Sequence, residues 1–319
     1  MKLRMEKLLV GSARHLELEG GLRDLEYLML NLPYRCNYKC SKCCNASREE
    51  SPKSPLSLEE ISELITEAKD LGMRVLVIAG EGEPFLDENI QSIISRANTN
   101  GLIPYIFTNG SKLNADTTQF IKENGASLVI NIDSLNARVY EELTGIKGSF
   151  ERLYGNIVGV REQFKDTHSQ IGQYGLRRIA INTVVSQRNK GELSEIKDFC
   201  GEDFVFVCNT PMDIGRAQGN PTFSGQFDTP KTIPLGTTSN GLWCAYMRNG
   251  ISIGANGEIL TCAYSLESAG RLGNVRERNL KDFVRRANKS VDAFYIEQGH
   301  SRCILRHPDY RKFIEDLKK

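Results

Sequence analysis

The sequence predicts an α/β fold organised on a parallel sheet, and three observations predict it. Short apolar runs alternate with amphipathic stretches from Glu26 to Met212, the pattern of successive βα units. The amphipathic stretches carry helix-start chemistry as well as period. After Gly215 the pattern gives way to a Gly-, Ser-, Thr- and Pro-rich stretch that ends near Gly241, and a hairpin signal follows it.

The apolar runs place strands at Tyr27–Asn31, Val75–Ala79, Ile103–Phe107, Ser127–Ile132, Arg178–Val185 and Phe204–Cys208. Ser57 and Glu60 form a capping box ahead of the stripe Ile61, Leu64, Ile65 and Ala68. Asp87 is expected to cap the next helix, whose stripe is Ile90, Ile93, Ile94 and Ala97. That stretch, from around Gly215 to Gly241, reads as a linker with little regular structure. Gly250–Gly254 and Glu258–Cys262 flank Ala255-Asn256-Gly257, a hairpin signal because Asn and Gly tolerate positive φ.

The chain has 319 residues, 40% hydrophobic and 25% charged, which excludes a disordered or collagen-like chain and allows one large domain with a smaller appendage. A net charge of +1 and the absence of a basic patch leave nucleic acid an unexpected partner. Met1–Glu26 mixes charges with leucines and lacks a signal peptide's apolar core, and no stretch reaches membrane-spanning length, so a cytoplasmic protein is expected. In a reducing compartment nine cysteines point to metal binding or catalysis rather than disulfides.

The sharpest feature is Cys36-x3-Cys40-x2-Cys43, placed directly after the first strand. Soft thiolates favour an iron–sulfur cluster or zinc. A closed zinc site needs four ligands, and the neighbourhood adds only Cys44, whose adjacency to Cys43 makes chelation of one ion awkward, and no histidine. Three ligands leave a metal position open. This triplet resembles the signature of the radical S-adenosylmethionine (SAM) superfamily.

The resemblance implies a partial (β/α)6 TIM-like barrel over residues 24–215, preceded by an N-terminal extension at 1–23. It implies a [4Fe-4S] cluster on Cys36, Cys40 and Cys43, with SAM on the open iron cleaved to a 5'-deoxyadenosyl radical. Gly80-Glu81-Gly82-Glu83 resembles the segment that receives the cofactor's amino group. Thr108, Asn109, Asn131, Asp133, Ser134 and Asn182, at or near successive strand ends, resemble positions that bind its ribose and carboxylate. Asp133-Ser134 read equally well as the cap of a helix over Asn136–Leu143, and Asn182 as a structural amide. The residue before the third cysteine is Lys42, where the family commonly has an aromatic.

After a linker at 216–242, Cys244, Cys262 and Cys303 resemble the ligands of a twitch or SPASM-like auxiliary-cluster module at 243–305, a β-hairpin plus helix, followed by a tail at 306–319. Gly257 and Gly273-Asn274 agree with that likeness. A second [4Fe-4S] cluster is implied, completed by Cys200, Cys208, His300 or His307, or left with an open iron; structural zinc on the same residues is the alternative. Cys208 reads three ways: hydrogen-atom donor to a substrate radical, auxiliary-cluster ligand, or core thiol. The leading activity is hydrogen-atom abstraction from a natural product, an aminocyclitol or sugar or a ribosomal peptide, giving oxidation or epimerisation, with flavodoxin or ferredoxin as electron donor. A binding protein with structural zinc and a nucleic-acid-modifying member of the superfamily are the alternatives.

Overall fold

The computed structural model describes residues 27–33, 35–45, 54–171, 174–212, 214–225, 250–260, 271–277 and 279–283. Six parallel strands form its centre: β1 (Tyr27–Leu32), β2 (Val75–Gly80), β3 (Ile103–Thr108), β4 (Ser127–Asn131), β7 (Ile179–Val184) and β8 (Val205–Asn209). Each is followed in the sheet by the next, with β4 beside β7. The helices between them are α1 (Leu58–Asp70), α2 (Ile90–Thr99), α3 (Ala115–Glu123), α4 (Ala137–Thr144), α5 (Ser149–Phe164) and α6 (Leu193–Cys200). The α/β expectation therefore holds, with boundaries within a residue or two of those read from the sequence.

Alternation along the strands decides what faces what. Leu28, Leu30, Leu76, Ile78, Ile106, Leu128, Ile130 and Ile181 pack with Ile61, Leu64, Ile93 and Ile157 of the helices, forming the main core. The opposite face carries Met29, Val77, Tyr105, Val129, Ala180 and Val207, a separate apolar layer inside the curved sheet. Two residues further along four of these strands, the inward positions become Asn31, Asn131, Asn182 and Asn209. An apolar floor thus carries a polar rim, and the rim lies at the C-terminal strand ends where open α/β sheets bind ligands.

The C-terminal hairpin is attached more closely than the sequence implied. β9 (Gly250–Ile253) pairs in parallel with β1, and β10 (Glu258–Leu260) and β11 (Arg271–Asn274) extend the same nine-stranded sheet. Asn31 pins this junction, its Nδ2 donating to Ser252 Oγ at 3.1 Å and to the Ile253 carbonyl at 3.0 Å. The turn residue with positive φ is Gly257, at 82°. A short hairpin of β5 (Ser169–Ile171) and β6 (Tyr174–Leu176) gave no sequence signal.

Other local expectations shift. Asp87 does not cap α2: Asn89 holds that position, and Asp87 Oδ1, two residues earlier, accepts the Asn89 N–H at 2.8 Å. The described part of the linker is not irregular, since 215–217 and 221–223 form 3-10 turns that bury Ala217 and Phe223 against Val139 and Leu143 of α4. Among the described residues no helix is long and apolar enough to cross a membrane.

The capping box at Ser57 is present in full, with Ser57 Oγ accepting from Glu60 N at 3.2 Å and Glu60 Oε2 accepting from Ser57 N at 2.7 Å. Glu60 also ties the start of α1 to the segment after β11, its carboxylate meeting the Arg276 guanidinium at 2.5 and 2.9 Å. Arg276 caps the same corner by donating to the Ser54 and Pro55 carbonyls.

Replacing Ser57 by Ala should cost about 1 kcal/mol in denaturant unfolding. The Arg276 partner, then the Ser57 N–H, hold the Glu60 carboxyl down at about 2, below its ordinary 4.5. Its pairing therefore stabilises the fold fully above pH 4.5 and is lost as pH falls through about 2. Arg276→Ala should move the Glu60 titration, followed by carboxylate carbon NMR, back toward 4.5; an unmoved titration would contradict the pairing.

Candidate active site

A cavity of about 280 Å³ opens at the C-terminal ends of the parallel strands. It is lined by Cys36, Cys40 and Cys43, by Gly82, Glu83, Thr108 and Asn109, and by Asn131, Asn182, Val184 and the segment Asn209–Met212. The strands bring together residues far apart in sequence because each contributes its last inward position.

The cysteine loop leaves β1 and is braced from several directions. Lys39 and Ser41 donate their N–H groups to the carbonyls of Thr144 and Leu143 at 2.9 and 2.8 Å, satisfying the carbonyls that end α4. The Glu83 N–H donates to the Arg35 carbonyl at 2.7 Å, and the Arg216 N–H to the Cys43 carbonyl at 2.9 Å. Arg216 Nη1 reaches the Cys40 carbonyl at 3.3 Å. Two glycines make the approach possible. A Cβ on Gly215, whose φ is +60°, would lie 2.3 Å from the carbonyl oxygens of Cys43 and Cys44, and one on Gly145 would lie 3.0 Å from the Lys39 carbonyl.

Side chains complete the brace. Asn37 Nδ2 donates to Ser111 Oγ at 2.8 Å, and Asn109 Nδ2 donates to Asn37 Oδ1 at 2.9 Å. Lys42 Nζ lies 2.6 Å from Asp133 Oδ1, with both side chains largely buried. The lysine that stands where the resemblance expects an aromatic thus ties the loop to the end of β4.

Burial pushes the Cys36 thiol up, and the Cys40 thiol up to about 12, where Lys42 opposes the rise and Asp133, Cys36 and Cys43 add to it. The three sulfurs share one cavity and feel one another's charge. Such thiols ionise readily only against a cationic centre, since metal binding offsets the deprotonation. Among the described residues no three His, Cys, Asp or Glu side chains are gathered closely enough for a single metal ion.

Glu83 is fully buried and accepts from Thr108 Oγ1 at 2.6 Å, Asn109 N at 2.7 Å and Phe85 N at 3.3 Å. Burial nonetheless dominates and pushes its carboxyl up to about 7, with the Asn109, Thr108 and Phe85 donors opposing. An anion held this way gains from a cationic ligand group. Gly80 ends β2 opposite Leu32, and the buried Glu81 donates its N–H to the Leu32 carbonyl at 3.2 Å; Glu81 stands outside the cavity lining.

Asp133 and Ser134 stand behind the wall rather than in it. Asp133 Oδ1 accepts the Val184 N–H at 2.9 Å as well as Lys42, and Ser134 Oγ donates to Glu192 Oε2 at 2.5 Å. The helix cap is Asn136, whose Oδ1 accepts from Val139 N at 3.2 Å, so the cap reading of Asp133-Ser134 is corrected. The hydrogen-donor reading of Cys208 is corrected too. On β8 the inward positions are Val207 and Asn209, while Cys208 faces the helix layer among Val185 and Leu193 and does not line the cavity. Cys200 is a core residue of α6.

Sequence reasoning missed Asn209 because it ended the sixth strand at Cys208, one residue short. It also missed Gly215, for which a glycine among many in a loop gives no distinguishing signal. Cys244, Cys262, Cys303, His300 and His307 lie outside the described residues.

The family model described as the radical SAM superfamily matches residues 30–200. A probable GTP 3',8-cyclase of Thermococcus kodakarensis is 26% identical over 65% of this chain and 64% of its own. An AdoMet-dependent heme synthase of Methanosarcina barkeri is 29% identical over 52% and 44%. A GTP 3',8-cyclase of Tolumonas auensis is 30% identical over 56% and 50%. The chain therefore spans roughly half the length of the curated relatives it matches. Among solved structures, Streptococcus suis SuiB bound to S-adenosylmethionine superposes with a TM-score of 0.63 at 18% identity, over 84% of this chain and 67% of that one. The anSMEcpe protein with bound AdoMet superposes with a TM-score of 0.62 at 14% identity, over 89% and 87%. With the family model covering more than half of the sequence and the fold agreeing, the chain belongs to the radical SAM superfamily.

Proposed function

We propose that Cys36, Cys40 and Cys43 hold the [4Fe-4S] cluster of this enzyme and that the adjoining wall binds SAM. The observation that supports this best is their convergence, with Glu83, on one cavity at the strand ends. When bound, the cluster supplies the electron that cleaves the SAM sulfonium to a 5'-deoxyadenosyl radical, which takes a hydrogen atom from a substrate carbon. Glu83 and Gly82 receive the amino-acid end of SAM, the Asn109 N–H holding the buried Glu83 carboxylate that favours its ammonium. Asn131 and Asn182 face the remainder of the cofactor across the cavity. Asp133 acts one step back, holding Lys42 and through it the cysteine loop. Glu81 and Ser134, both buried, and Gly80 support these segments from behind.

We assign the substrate to the lining segment Asn209–Met212. We read the reaction as oxidation at a carbon of a natural product, an aminocyclitol, sugar or peptide, with a flavodoxin or ferredoxin as reductant. With Cys208 turned away from the cavity, epimerisation through that thiol is not part of the proposal. Residues 243–305 are proposed as the auxiliary-cluster module, with Cys244, Cys262 and Cys303 as ligands. A second reading, cyclisation of GTP, is favoured by the names of the sequence relatives. Deuterium-labelled candidates separate the two: label entering 5'-deoxyadenosine from a sugar or peptide supports the first, and label entering from GTP supports the second.

Alanine at any one of Cys36, Cys40 or Cys43 should abolish reductant-dependent release of 5'-deoxyadenosine from anaerobically reconstituted protein. Release at the wild-type rate would remove that residue from the ligand set. Gly215→Ala should lower iron uptake several-fold, because its methyl group would press on the carbonyls of Cys43 and Cys44. Unchanged iron content in that variant would show that the brace is dispensable.

A further inference from the structure

Three inward asparagines on neighbouring strands are joined side chain to side chain. Asn209 Nδ2 donates to Asn182 Oδ1 at 2.7 Å, Asn182 Nδ2 donates to Asn131 Oδ1 at 2.7 Å, and Asn131 Nδ2 donates to the Thr108 carbonyl at 3.3 Å. All three line the cavity. Strand register makes the chain continuous: Asn131 stands opposite Asn182, and Asn209 stands opposite Val184, one inward position beyond it.

The chain has a direction, and one atom fixes it. A main-chain carbonyl only accepts, so Asn131 must turn its amide nitrogen toward Thr108 and its oxygen toward Asn182. Asn182 must then donate to Asn131, which leaves its oxygen for Asn209, and Asn209 must donate in turn. Reversing any one member sets oxygen against oxygen or nitrogen against nitrogen at the bonds it makes with its neighbours. Each amide nitrogen carries two hydrogens and spends one on the chain, so Asn131 and Asn182 each keep an N–H beside the cavity. The far end reaches the cofactor side directly, because Thr108 also donates its hydroxyl to Glu83.

We propose that Asn209 is a positioning residue of the active site: by donating to Asn182 Oδ1 it satisfies the last acceptor of the row and steadies Asn182 and Asn131 in the orientation, set by the Thr108 carbonyl, that presents them to SAM. The proposal rests on the reading above that Asn131 and Asn182 face SAM. Substitutions at residue 209 that oppose the direction of the row should therefore be felt at the cofactor although the residue stands on the substrate wall. An aspartate there has only acceptors and would set a carboxylate oxygen against Asn182 Oδ1. A leucine would leave Asn182 Oδ1 without its partner but would not oppose it.

The test is calorimetric titration of SAM into the anaerobically reconstituted full chain, with iron content and melting temperature measured on every sample. Asn209→Asp should weaken SAM binding on the order of tenfold and Asn209→Leu about threefold, the cost of an opposed and of a merely unpaired buried acceptor. Both losses should vanish in an Asn182→Ala background, where the relay is already cut. A residue that only fills space would behave otherwise, with Asn209→Leu the more harmful change and both effects persisting beside Asn182→Ala. That pattern, or wild-type affinity in both single variants, overturns the proposal. Should Asn209→Asp fail to take up iron, Asn209→Leu decides alone: a threefold loss absent in the Asn182→Ala background supports the relay, and no loss overturns it. Asn182→Ala by itself separates the two layers of argument. If it binds SAM as tightly as wild type, the cofactor wall is misassigned and the proposal falls with it; if it weakens binding while the Asn209 variants do not, only the proposal falls.

Discussion

The site depends on the contact of one irregular loop with three pieces of regular backbone. Between Arg35 and Asn45 the chain has no ladder of its own to satisfy its polar groups, and such a segment is ordered only if its neighbours supply partners. They do: the carbonyls ending α4 take the Lys39 and Ser41 N–H groups, the Glu83 N–H takes the Arg35 carbonyl, and the turn after β8 donates to the Cys43 carbonyl. Gly215 lets these backbones meet at a distance no side chain would allow, and Gly145, with φ of +70°, at one that a Cβ would crowd. Three cysteines within a span of eight residues would otherwise be a floppy chelate. Bracing moves the entropy cost of ordering them into folding, so that less of it falls on cofactor binding.

The barrel interior explains where the chemistry stands. A parallel sheet covered by helices on its outer face buries aliphatic residues there, and here that layer is continuous from β1 to β7. The inner face changes character with height, apolar at Met29, Val77, Tyr105 and Val129 and polar at Asn31, Asn131, Asn182 and Asn209. Amides at this height are costly without partners, and the structure gives each of them one, either across strands or to the β9 backbone. The rim is therefore rigid and polar at once, which is what a site for a charged cofactor requires.

Much of this was legible in the sequence where a short-range pattern carried it. The six central strands follow from apolar runs, the start of α1 from Ser57 and Glu60, and the cluster loop from cysteine spacing, because each signal spans fewer than about ten residues. What escaped was set by contacts between distant segments. Lys42 looked like a departure from the family pattern until Asp133 was found beside it, 91 residues away. The place of Cys208 followed from the parity of β8, which a boundary one residue short had left undefined. Nor did the hairpin at Gly250 announce its pairing with β1, since an edge partner leaves no mark in the strand it joins. Substrate identity likewise leaves no motif in the sequence, because selectivity is carried by loops.

The central claim is that the three early cysteines hold an iron–sulfur cluster with one iron free for SAM. Electron–nuclear double resonance on the reduced, reconstituted protein with SAM labelled by nitrogen-15 at its amino group tests it directly. The account predicts a cluster signal that acquires a coupling to that nitrogen. A reduced cluster whose spectrum is indifferent to SAM, or a protein that takes up zinc and no iron under the same conditions, would contradict it.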